Sequence, residues 1–416
     1  MVSLDIFLLV INAVAFSGTF IYFFRKRGFD VVSFVYFIYS ILSGFSLLLY
    51  IHPMSNRYYN GLNIWGFMLL YFGIACFVTP IRNIKETDNI IPPKQEIFQV
   101  LIIVLFLLSL SRIPSAIENL RYGLLNMILD PTGFESAYRD RMDSFVGGQS
   151  YGGRTISLFS IAYGVVGDTA IFLYMYYQTL PYRKKLYSIA LIISSLVLLV
   201  SYVSDGERGG IVRAIFIFFF SYLLFRQKLS TTVKKRVNLT MISIVVILGL
   251  FLAAITASRF TNKSYYSDDY WSYSIVSYLG QPILNYDKFV VTEPKTRHGD
   301  RTAALIKTII EPSEGPYNYS HRVQKYSSMS IDESTFSTFL GDFSLDYGLF
   351  FSLIICIAVL LTKPVFRKIK KARPFKIYIL VYMLLVTTCC GWHLFPFSDV
   401  GGNLKLIFNF MLFAFI

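Results

Sequence analysis

Charged residues are scarce in this chain of 416 residues. Asp, Glu, Lys and Arg make up 15% of it, against about 25% in an ordinary soluble domain. Hydrophobic residues make up 55% of the chain, and the mean hydropathy is +0.54. This composition excludes an ordinary soluble globular protein and indicates a membrane protein.

Cysteine is also scarce, and no nucleotide-binding loop is present. The four cysteines all lie within apolar runs and show no metal-type spacing: Cys76, Cys356, Cys389 and Cys390. Buried thiols of this kind usually act as small core residues, so we expect no disulfide framework, no metal and no other cofactor. Any reaction would have to draw its energy from an activated substrate.

Apolar runs of about 17–25 residues, the length that crosses a bilayer as a helix, recur along the whole chain. The sequence therefore predicts an all-α polytopic bundle of ten or eleven helices, forming one integral membrane domain over residues 1–416. The first run lacks a basic segment before it and a small-residue cleavage site, so we expect a retained helix. The predicted spans lie near residues 3–24, 31–51, 62–80, 97–111, 157–180, 186–203, 209–225, 238–257, 347–362, 377–391 and 402–416.

The net charge of +14 is unevenly distributed. If the N-terminus lies outside, the inner connectors carry a net charge of +17 and all other residues sum to −3. This is the positive-inside pattern of a membrane protein, so the basic excess implies a lipid bilayer and no nucleic acid. The inner connectors are residues 25–30, 81–96, 181–187, 226–236 and 362–376.

Two outer segments are long, residues 112–156 and residues 258–346, and loops of this length are usually functional. The second contains the amphipathic stretch "TAALIKTII" and is rich in aromatic residues, which form an interfacial belt or stack on sugar rings. These aromatic residues are Tyr265, Tyr266, Tyr270, Trp271, Tyr273 and Tyr278.

The first outer segment contains five arginines and no lysine: Arg112, Arg121, Arg139, Arg141 and Arg154. Arginine presents a planar fork that grips phosphate in two places. Salt bridges to the acids of the same segment are the alternative. Because arginines on the outer face oppose the topological bias, we expect Arg112 and Arg121 to bind an anionic, lipid-linked substrate.

Three further polar residues lie at or within the apolar runs. Arg208, in "GERGG", begins a helix where free backbone N–H groups also favour an anion, with an ion pair to Glu207 or Asp205 as the alternative. Arg213 is either a second phosphate ligand or a snorkelling side chain. Asp168 lies in the middle of its span, so it is either a functional acid or the partner of Arg213.

Several motifs together resemble the bacterial polymerases that join oligosaccharide repeat units of O-antigen and capsule. They are "GERGG" at a helix start, Arg112 and Gly123 separated by ten residues, and "STFSTFLGDFSLDYGLF" at the end of the second outer segment. In the last motif, a Ser/Thr-rich turn precedes Asp342, and Asp346 opens an Asp-aromatic-Gly-Leu entry into the next helix. Arg297, Arg301 and Arg322 do not reproduce the family's second arginine spacing.

The resemblance implies a glycosyltransferase-C-like fold and metal-independent glycosyl transfer. Donor and acceptor would be undecaprenyl-diphosphate-linked oligosaccharides on the outer face of the bacterial plasma membrane. A chain-length regulator and a flippase of the same pathway would be further partners. The second outer segment lacks the histidine motif of the related O-antigen ligases, which favours a polymerase. A ligase-like transferase and a lipid-linked oligosaccharide transporter are the alternatives.

The general base stays open between three residues. Asp342 and Asp346 lie in the late motif, although Asp346 could instead cap the following helix. His321 lies beside Arg322, which would supply an adjacent anion ligand. The predicted diphosphate ligands are Arg112, Arg121, Arg208, Arg213 and Arg322.

Overall fold

The computed structural model describes residues 2–55, 58–84, 89–129, 158–204, 207–258, 269–312, 319–333, 335–367 and 372–415. Its regular structure is helical apart from two three-residue strands, Asn89–Ile91 and Ala372–Pro374. The prediction of an all-α protein is therefore confirmed. Several predicted residues lie outside the described ranges: Arg139, Arg141, Arg154, Asp205, Tyr265 and Tyr266.

Seventeen α-helices and two π-helical turns are described. The π-turns are Tyr286–Val290 and Val386–Cys390. The α-helices are α1 (Val2–Arg27), α2 (Val31–Ile51), α3 (Ile64–Ile81), α4 (Gln95–Leu129), α5 (Leu158–Val166), α6 (Thr169–Tyr177), α7 (Lys185–Ser204), α8 (Arg208–Phe225), α9 (Thr231–Ser258), α10 (Asp269–Asn285), α11 (Ala304–Ile310), α12 (Tyr319–Lys325), α13 (Thr338–Tyr347), α14 (Leu349–Leu361), α15 (Lys363–Arg367), α16 (Phe375–Leu385) and α17 (Asp399–Phe415).

Seven of the described helices are long and apolar enough to cross a membrane, and the bent pair α5–α6 makes an eighth. Helix α1 carries large apolar side chains on its surface, including Phe7 and Val14, which are 59% and 63% exposed. Such a surface suits lipid rather than water. The chain is a polytopic membrane protein, and seven or eight of the ten or eleven predicted spans are supported within the described residues.

The chain divides into two compact units. Unit 1 comprises Met1–Asn89, Ser267–Arg373 and Ile377–Met411, and unit 2 comprises Ile90–Tyr266, Pro374–Lys376 and Leu412–Ile416. The sequence analysis predicted a single domain over residues 1–416, whereas the structure divides into these two units. Each of the two short strands lies where the chain passes from one unit to the other.

Small residues bring α2 and α10 together in unit 1. A Cβ atom added to Gly280 would lie 2.5 Å from the carbonyl oxygen of Phe45. The Ser46 hydroxyl donates to the Gly280 carbonyl at 2.9 Å. This close backbone approach, supported by a side-chain hydrogen bond, is a common way to pack membrane helices.

Two predicted spans differ from the observed helices. Helix α4 has 35 residues and continues to Leu129, so Arg112 and Arg121 lie on a helix rather than in a loop. The predicted span 157–180 is broken between α5 and α6, which meet at an angle of 59°. Asp168 lies at this break. A carboxylate within a membrane helix is costly unless it has a partner, and the bend places Asp168 beside Tyr202 and Arg213.

The second outer segment is largely ordered within its described ranges. The amphipathic stretch forms α11, whose Ile306, Ile309 and Ile310 side chains are exposed. Helices α13 and α14 are separated by Gly348 alone, which has a φ angle of 83°. Because only glycine adopts this conformation at low cost, the chain turns sharply here, directly after Asp346 and Tyr347.

Candidate functional site

A cluster of buried charged residues lies in unit 1, at the end of the second outer segment. We call it the charge cluster. Each of its six side chains is less than a tenth exposed, which is unusual for charged residues unless they are paired. It consists of Arg297, Arg301, Arg322, Glu333, Asp342 and Asp346.

Arg297 is the centre of the charge cluster, because its guanidinium contacts all three acids. Its nitrogens lie 2.7 Å from Glu333 Oε1, 3.2 Å from Asp342 Oδ1 and 2.8 Å from Asp346 Oδ1. Its backbone N–H donates to the Leu345 carbonyl at 2.7 Å, which joins its loop to α13. Burial opposes the charged form, but the three carboxylates outweigh it and hold the pKa of Arg297 above its ordinary value.

Arg322 is held by two acids. Its Nε donates to Glu333 Oε2 at 3.0 Å, and one terminal nitrogen lies 2.6 Å from Asp399 Oδ1. Its side chain is 1% exposed. The structure therefore shows Arg322, a predicted diphosphate ligand, in ion pairs within the protein. The neighbouring His321, a candidate base, is half-buried.

Arg301 differs from the other two arginines. Its guanidinium lies 3.3 Å from Asp342 Oδ1 and 3.7 Å from Glu333 Oε2. Within the described part of the chain it makes no hydrogen bond, and its buried Nε has no partner. A buried guanidinium with unused donors is costly. Arg301 is thus the member of the charge cluster that is equipped to bind something else.

The three acids have different environments. Asp342 Oδ2 accepts from the Phe395 backbone N–H at 2.6 Å. Asp346 Oδ2 accepts from both the backbone N–H and the hydroxyl of Thr302, each at 2.6 Å. Asp346 therefore binds Thr302 and Arg297 from the last turn of α13. The alternative that Asp346 caps the next helix is wrong, because Gly348 occupies that position.

Burial and neighbouring arginines act in opposite directions on the carboxyl groups. Burial would raise the pKa of the Glu333 carboxyl, but Arg297, Arg301 and Arg322 together lower it to about 2. For Asp346, burial prevails over Arg297 and Thr302 and raises the pKa of the carboxyl. The pKa values of Glu333 and Asp346 are thus shifted in opposite directions within one cluster, and strongly shifted pKa values are common at functional sites.

Backbone strain is concentrated around the same cluster. In the described ranges, three residues other than glycine have positive φ angles: His298 at 50°, Thr338 at 71° and Asp399 at 62°. His298 lies between Arg297 and Arg301, Thr338 begins the helix that carries Asp342, and Asp399 binds Arg322. Such conformations are costly and are typically retained at functional sites.

A second polar cluster lies in unit 2, at the break between α5 and α6. Asp168 accepts a hydrogen bond from the Tyr202 hydroxyl, and Arg213 lies 3.3 Å from its other oxygen. The alternative that Arg213 is the partner of Asp168 is confirmed. Gly210 allows the Tyr202 ring to lie against α8, because an added Cβ atom would overlap that ring.

The other predicted arginines are also placed by helices of unit 2. The Arg112 guanidinium donates to the Ser160 hydroxyl at 3.2 Å. Arg121 lies on the exposed side of α4, and Arg208 is the first residue of α8, in agreement with its predicted position at a helix start. Arg112 and Arg208 also interact with other residues of the protein.

The predicted site residues therefore fall in two units. His321, Arg322, Asp342 and Asp346 lie in unit 1, with all but His321 in the charge cluster. The residues of unit 2 are Arg112, Arg121, Asp168, Arg208 and Arg213. Sequence reasoning missed Arg297, Arg301 and Glu333. For the two arginines the available signal was their position, since basic residues in a predicted outer segment oppose the topological bias.

Within the described residues, no group of three or more His, Cys, Asp and Glu side chains could hold a metal ion. Comparison with known proteins adds no family: no family model, curated protein or solved structure matches this chain. Function must be argued from the residues themselves.

Proposed function

We propose that this protein is a glycosyltransferase of the bacterial plasma membrane that polymerises lipid-linked oligosaccharide repeat units on the outer face. The fold would be glycosyltransferase-C-like, and the product an O-antigen or capsule polysaccharide. The resemblance of "STFSTFLGDFSLDYGLF" to repeat-unit polymerases supports this function. The observation that carries it is that both acids of this motif, Asp342 and Asp346, lie in the charge cluster with Arg297.

The reaction needs one proton acceptor and one stabilised leaving group. A hydroxyl oxygen of the newest repeat unit attacks the anomeric carbon of the growing chain, and the bond from that carbon to the diphosphate oxygen breaks. The hydroxyl proton passes to a carboxylate, and the lipid diphosphate leaves with the bonding electrons. Guanidinium groups stabilise the charge that develops on the departing diphosphate.

We assign the base to Asp342. Its Oδ2 accepts from the Phe395 backbone N–H, and its Oδ1 contacts Arg297 and also Arg301, whose Nε has no partner within the described residues. Asp346 is bound by Thr302 and Arg297 and orients Arg297, which makes it a positioning residue. Of the predicted diphosphate ligands, Arg213 and Arg322 pair with acids of the protein.

The test compares Asp342→Asn with Asp332→Asn in a strain that lacks the chromosomal gene. Asp332 is exposed and serves as the matched control. We expect Asp342→Asn to abolish long glycan chains, at a cost of about 100-fold or more in rate, while single repeats still appear at the surface. The control should restore the full ladder. A full ladder from Asp342→Asn at equal protein level would remove Asp342 from the mechanism.

A lipid-linked oligosaccharide transporter is the second candidate. The observation that favours it is the break between α5 and α6 with Asp168 at the bend, because transporters often place substrate at broken helices. The same strain distinguishes the two functions. A transporter defect would trap single repeats on the inner leaflet, whereas a polymerase defect leaves them on the outer leaflet.

A further inference from the structure

We infer that Arg301 and Asp342 form a binding site for the hydroxyl groups of a neutral sugar, which in the proposed reaction is the acceptor repeat unit. The inference rests on the proposed function for the identity of the sugar. It assigns the charge cluster to carbohydrate rather than to diphosphate, and it makes Arg301 a specificity-determining residue.

The first argument is the unused hydrogen-bonding capacity of Arg301. A guanidinium has five N–H donors, and that of Arg301, 5% exposed, makes ion pairs with Asp342 and Glu333, while its Nε has no hydrogen-bond partner within the described residues. Arg297 and Arg322, by contrast, each donate to Glu333. A buried arginine left without hydrogen bonds is costly unless a ligand completes it.

The second argument is the charge balance of the cluster. The three guanidinium groups face the three carboxyl groups of the charge cluster and also that of Asp399, which lies 2.6 Å from Arg322. The pKa of Glu333 is about 2, so this acid is ionised at neutral pH. A diphosphate at Arg301 would gain little net attraction and would lie beside Asp342, which is 3.3 Å from Arg301. A hydroxyl group suits this pair better, because it accepts from a guanidinium and donates to a carboxylate.

The third argument is a group of aromatic rings, two of which lie on the segment whose Phe395 backbone N–H donates to Asp342. Tyr278, Phe336, His393 and Trp392 form a closed circuit with centroid separations of 4.8–5.8 Å. The His393 carbonyl accepts from the first backbone N–H groups of α13, and Phe395 two residues later donates to Asp342. Aromatic rings beside hydrogen-bonding groups are suited to the apolar faces and hydroxyls of a sugar.

Trp392 adds a second unused donor. Its side chain is 2% exposed, and its indole N–H has no partner within the described residues. Buried tryptophan N–H groups usually find an acceptor. The unpaired indole N–H of Trp392 therefore lies three residues before Phe395, whose backbone N–H donates to Asp342.

The test measures binding rather than catalysis, with full-length protein in lipid nanodiscs. The first probe is the phosphate-free oligosaccharide repeat, released by mild acid from the lipid-linked pool of the strain. The second is inorganic pyrophosphate. We expect wild-type protein to bind the oligosaccharide, and excess pyrophosphate not to displace it.

The variants are Arg301→Ala, Arg301→Lys and Trp392→Phe, with Arg25→Ala as the control for loss of an exposed arginine. We expect Arg301→Ala to weaken oligosaccharide binding roughly tenfold or more, and Trp392→Phe roughly fivefold, since each removes hydrogen bonds to the ligand. Arg301→Lys keeps the charge and protects folding, yet lacks the planar fork, so binding should still weaken. A thermal melt confirms that each variant is folded.

Wild-type affinity in folded Arg301→Lys and Arg301→Ala would overturn the inference, as would displacement of the oligosaccharide by pyrophosphate. The latter result would make Arg301 a phosphate ligand. The proposed function fails separately, since it depends on glycan chain length in the Asp342→Asn strain. If the protein were a transporter, the chain-length test would contradict the proposed function, and binding of the oligosaccharide through Arg301 could still be observed.

Discussion

Glu333 shows at the scale of one residue how the charge cluster is held together. Its two oxygens bind two different arginines, Arg297 at 2.7 Å and Arg322 at 3.0 Å. Removing one partner from a buried ion pair leaves the others uncompensated, which is far more costly than losing an exposed pair. Glu333 therefore contributes mainly by neutralising arginines that would otherwise repel one another.

We expect Glu333→Gln to lower the free energy of unfolding by about 3 kcal/mol at pH 7. Because the pKa of Glu333 is about 2 in the folded protein and near 4.5 when unfolded, its stabilisation is complete above pH 4.5 and is lost as the pH falls toward 2. The difference from wild type should thus shrink by roughly 2 kcal/mol at pH 3. Thermal melts in detergent at both pH values measure it.

The control is Glu311→Gln, which removes an acid paired with Lys307 at the surface of α11. Exposed pairs of this kind contribute less than about 1 kcal/mol, so this variant should melt close to wild type at both pH values. If Glu333→Gln behaved in the same way, Glu333 would not be the group that balances the arginines.

Asp287 has the opposite pH dependence. Its Oδ2 accepts from the Asn63 backbone N–H at 2.8 Å, while Oδ1 has no partner within the described ranges. Burial raises its pKa to about 7, so the folded state binds the proton more tightly than the unfolded state. Wild-type stability should therefore fall as the pH rises from about 4 to about 7.

We expect Asp287→Asn to remove this dependence. The free energy of unfolding of the variant, relative to that of wild type, should therefore be about 2 kcal/mol higher at pH 8 than at pH 5. Asp5→Asn is the contrasting variant. The Asp5 carboxylate accepts hydrogen bonds from Tyr50, Gly61 and Leu62. The amide of asparagine would place its own N–H group against one of these donors, so the variant should be less stable than wild type at both pH values. Equal pH profiles for wild type and Asp287→Asn would show that Asp287 does not titrate in this range.

At the scale of elements, the apolar runs predict most helices but not their interruptions. The run that contains Asp168 is long enough to be one span, yet it forms α5 and α6 at 59°. The break depends on partners from α7 and α8, Tyr202 and Arg213, which lie 34 and 45 residues away. No local pattern reports such contacts. The same limit explains why Arg297 and Arg301 were missed, whereas the short motif around Asp342 and Asp346 was visible.

The contact between α2 and α10 allows a test with two glycines. At Gly280, an added Cβ atom would lie 2.5 Å from the Phe45 carbonyl oxygen, which is backbone and cannot move cheaply. We expect Gly280→Ala to cost about 1–3 kcal/mol through overpacking. Gly44 has no atom within 4 Å of an added Cβ, so Gly44→Ala should be neutral or stabilise α2 by up to about 1 kcal/mol.

Thermal melts of the two alanine variants give the comparison directly. A melting temperature for Gly280→Ala at or above that of Gly44→Ala would mean that α2 and α10 do not meet through Gly280.

At the scale of the whole molecule, the charge bias predicts the orientation that the proposed function requires. The net charge of +17 on the predicted inner connectors predicts that residues 258–346 lie outside. The charge cluster is then on the face where lipid-linked glycans are assembled in the proposed function. The opposite orientation would place Arg301 and Asp342 in the cytoplasm, which no outward-facing polymerase could use.

Cysteine labelling in intact cells tests this orientation. The four native cysteines are buried, so a membrane-impermeant maleimide should give little background on wild-type protein. Lys295 and Arg25 are both exposed, one beside the charge cluster and one at the predicted inner end of α1. We expect Lys295→Cys to react in intact cells, and Arg25→Cys to react only after the membrane is permeabilised. Labelling of Arg25→Cys but not Lys295→Cys in intact cells would reverse the topology and end the proposal of an extracytoplasmic glycosyltransferase.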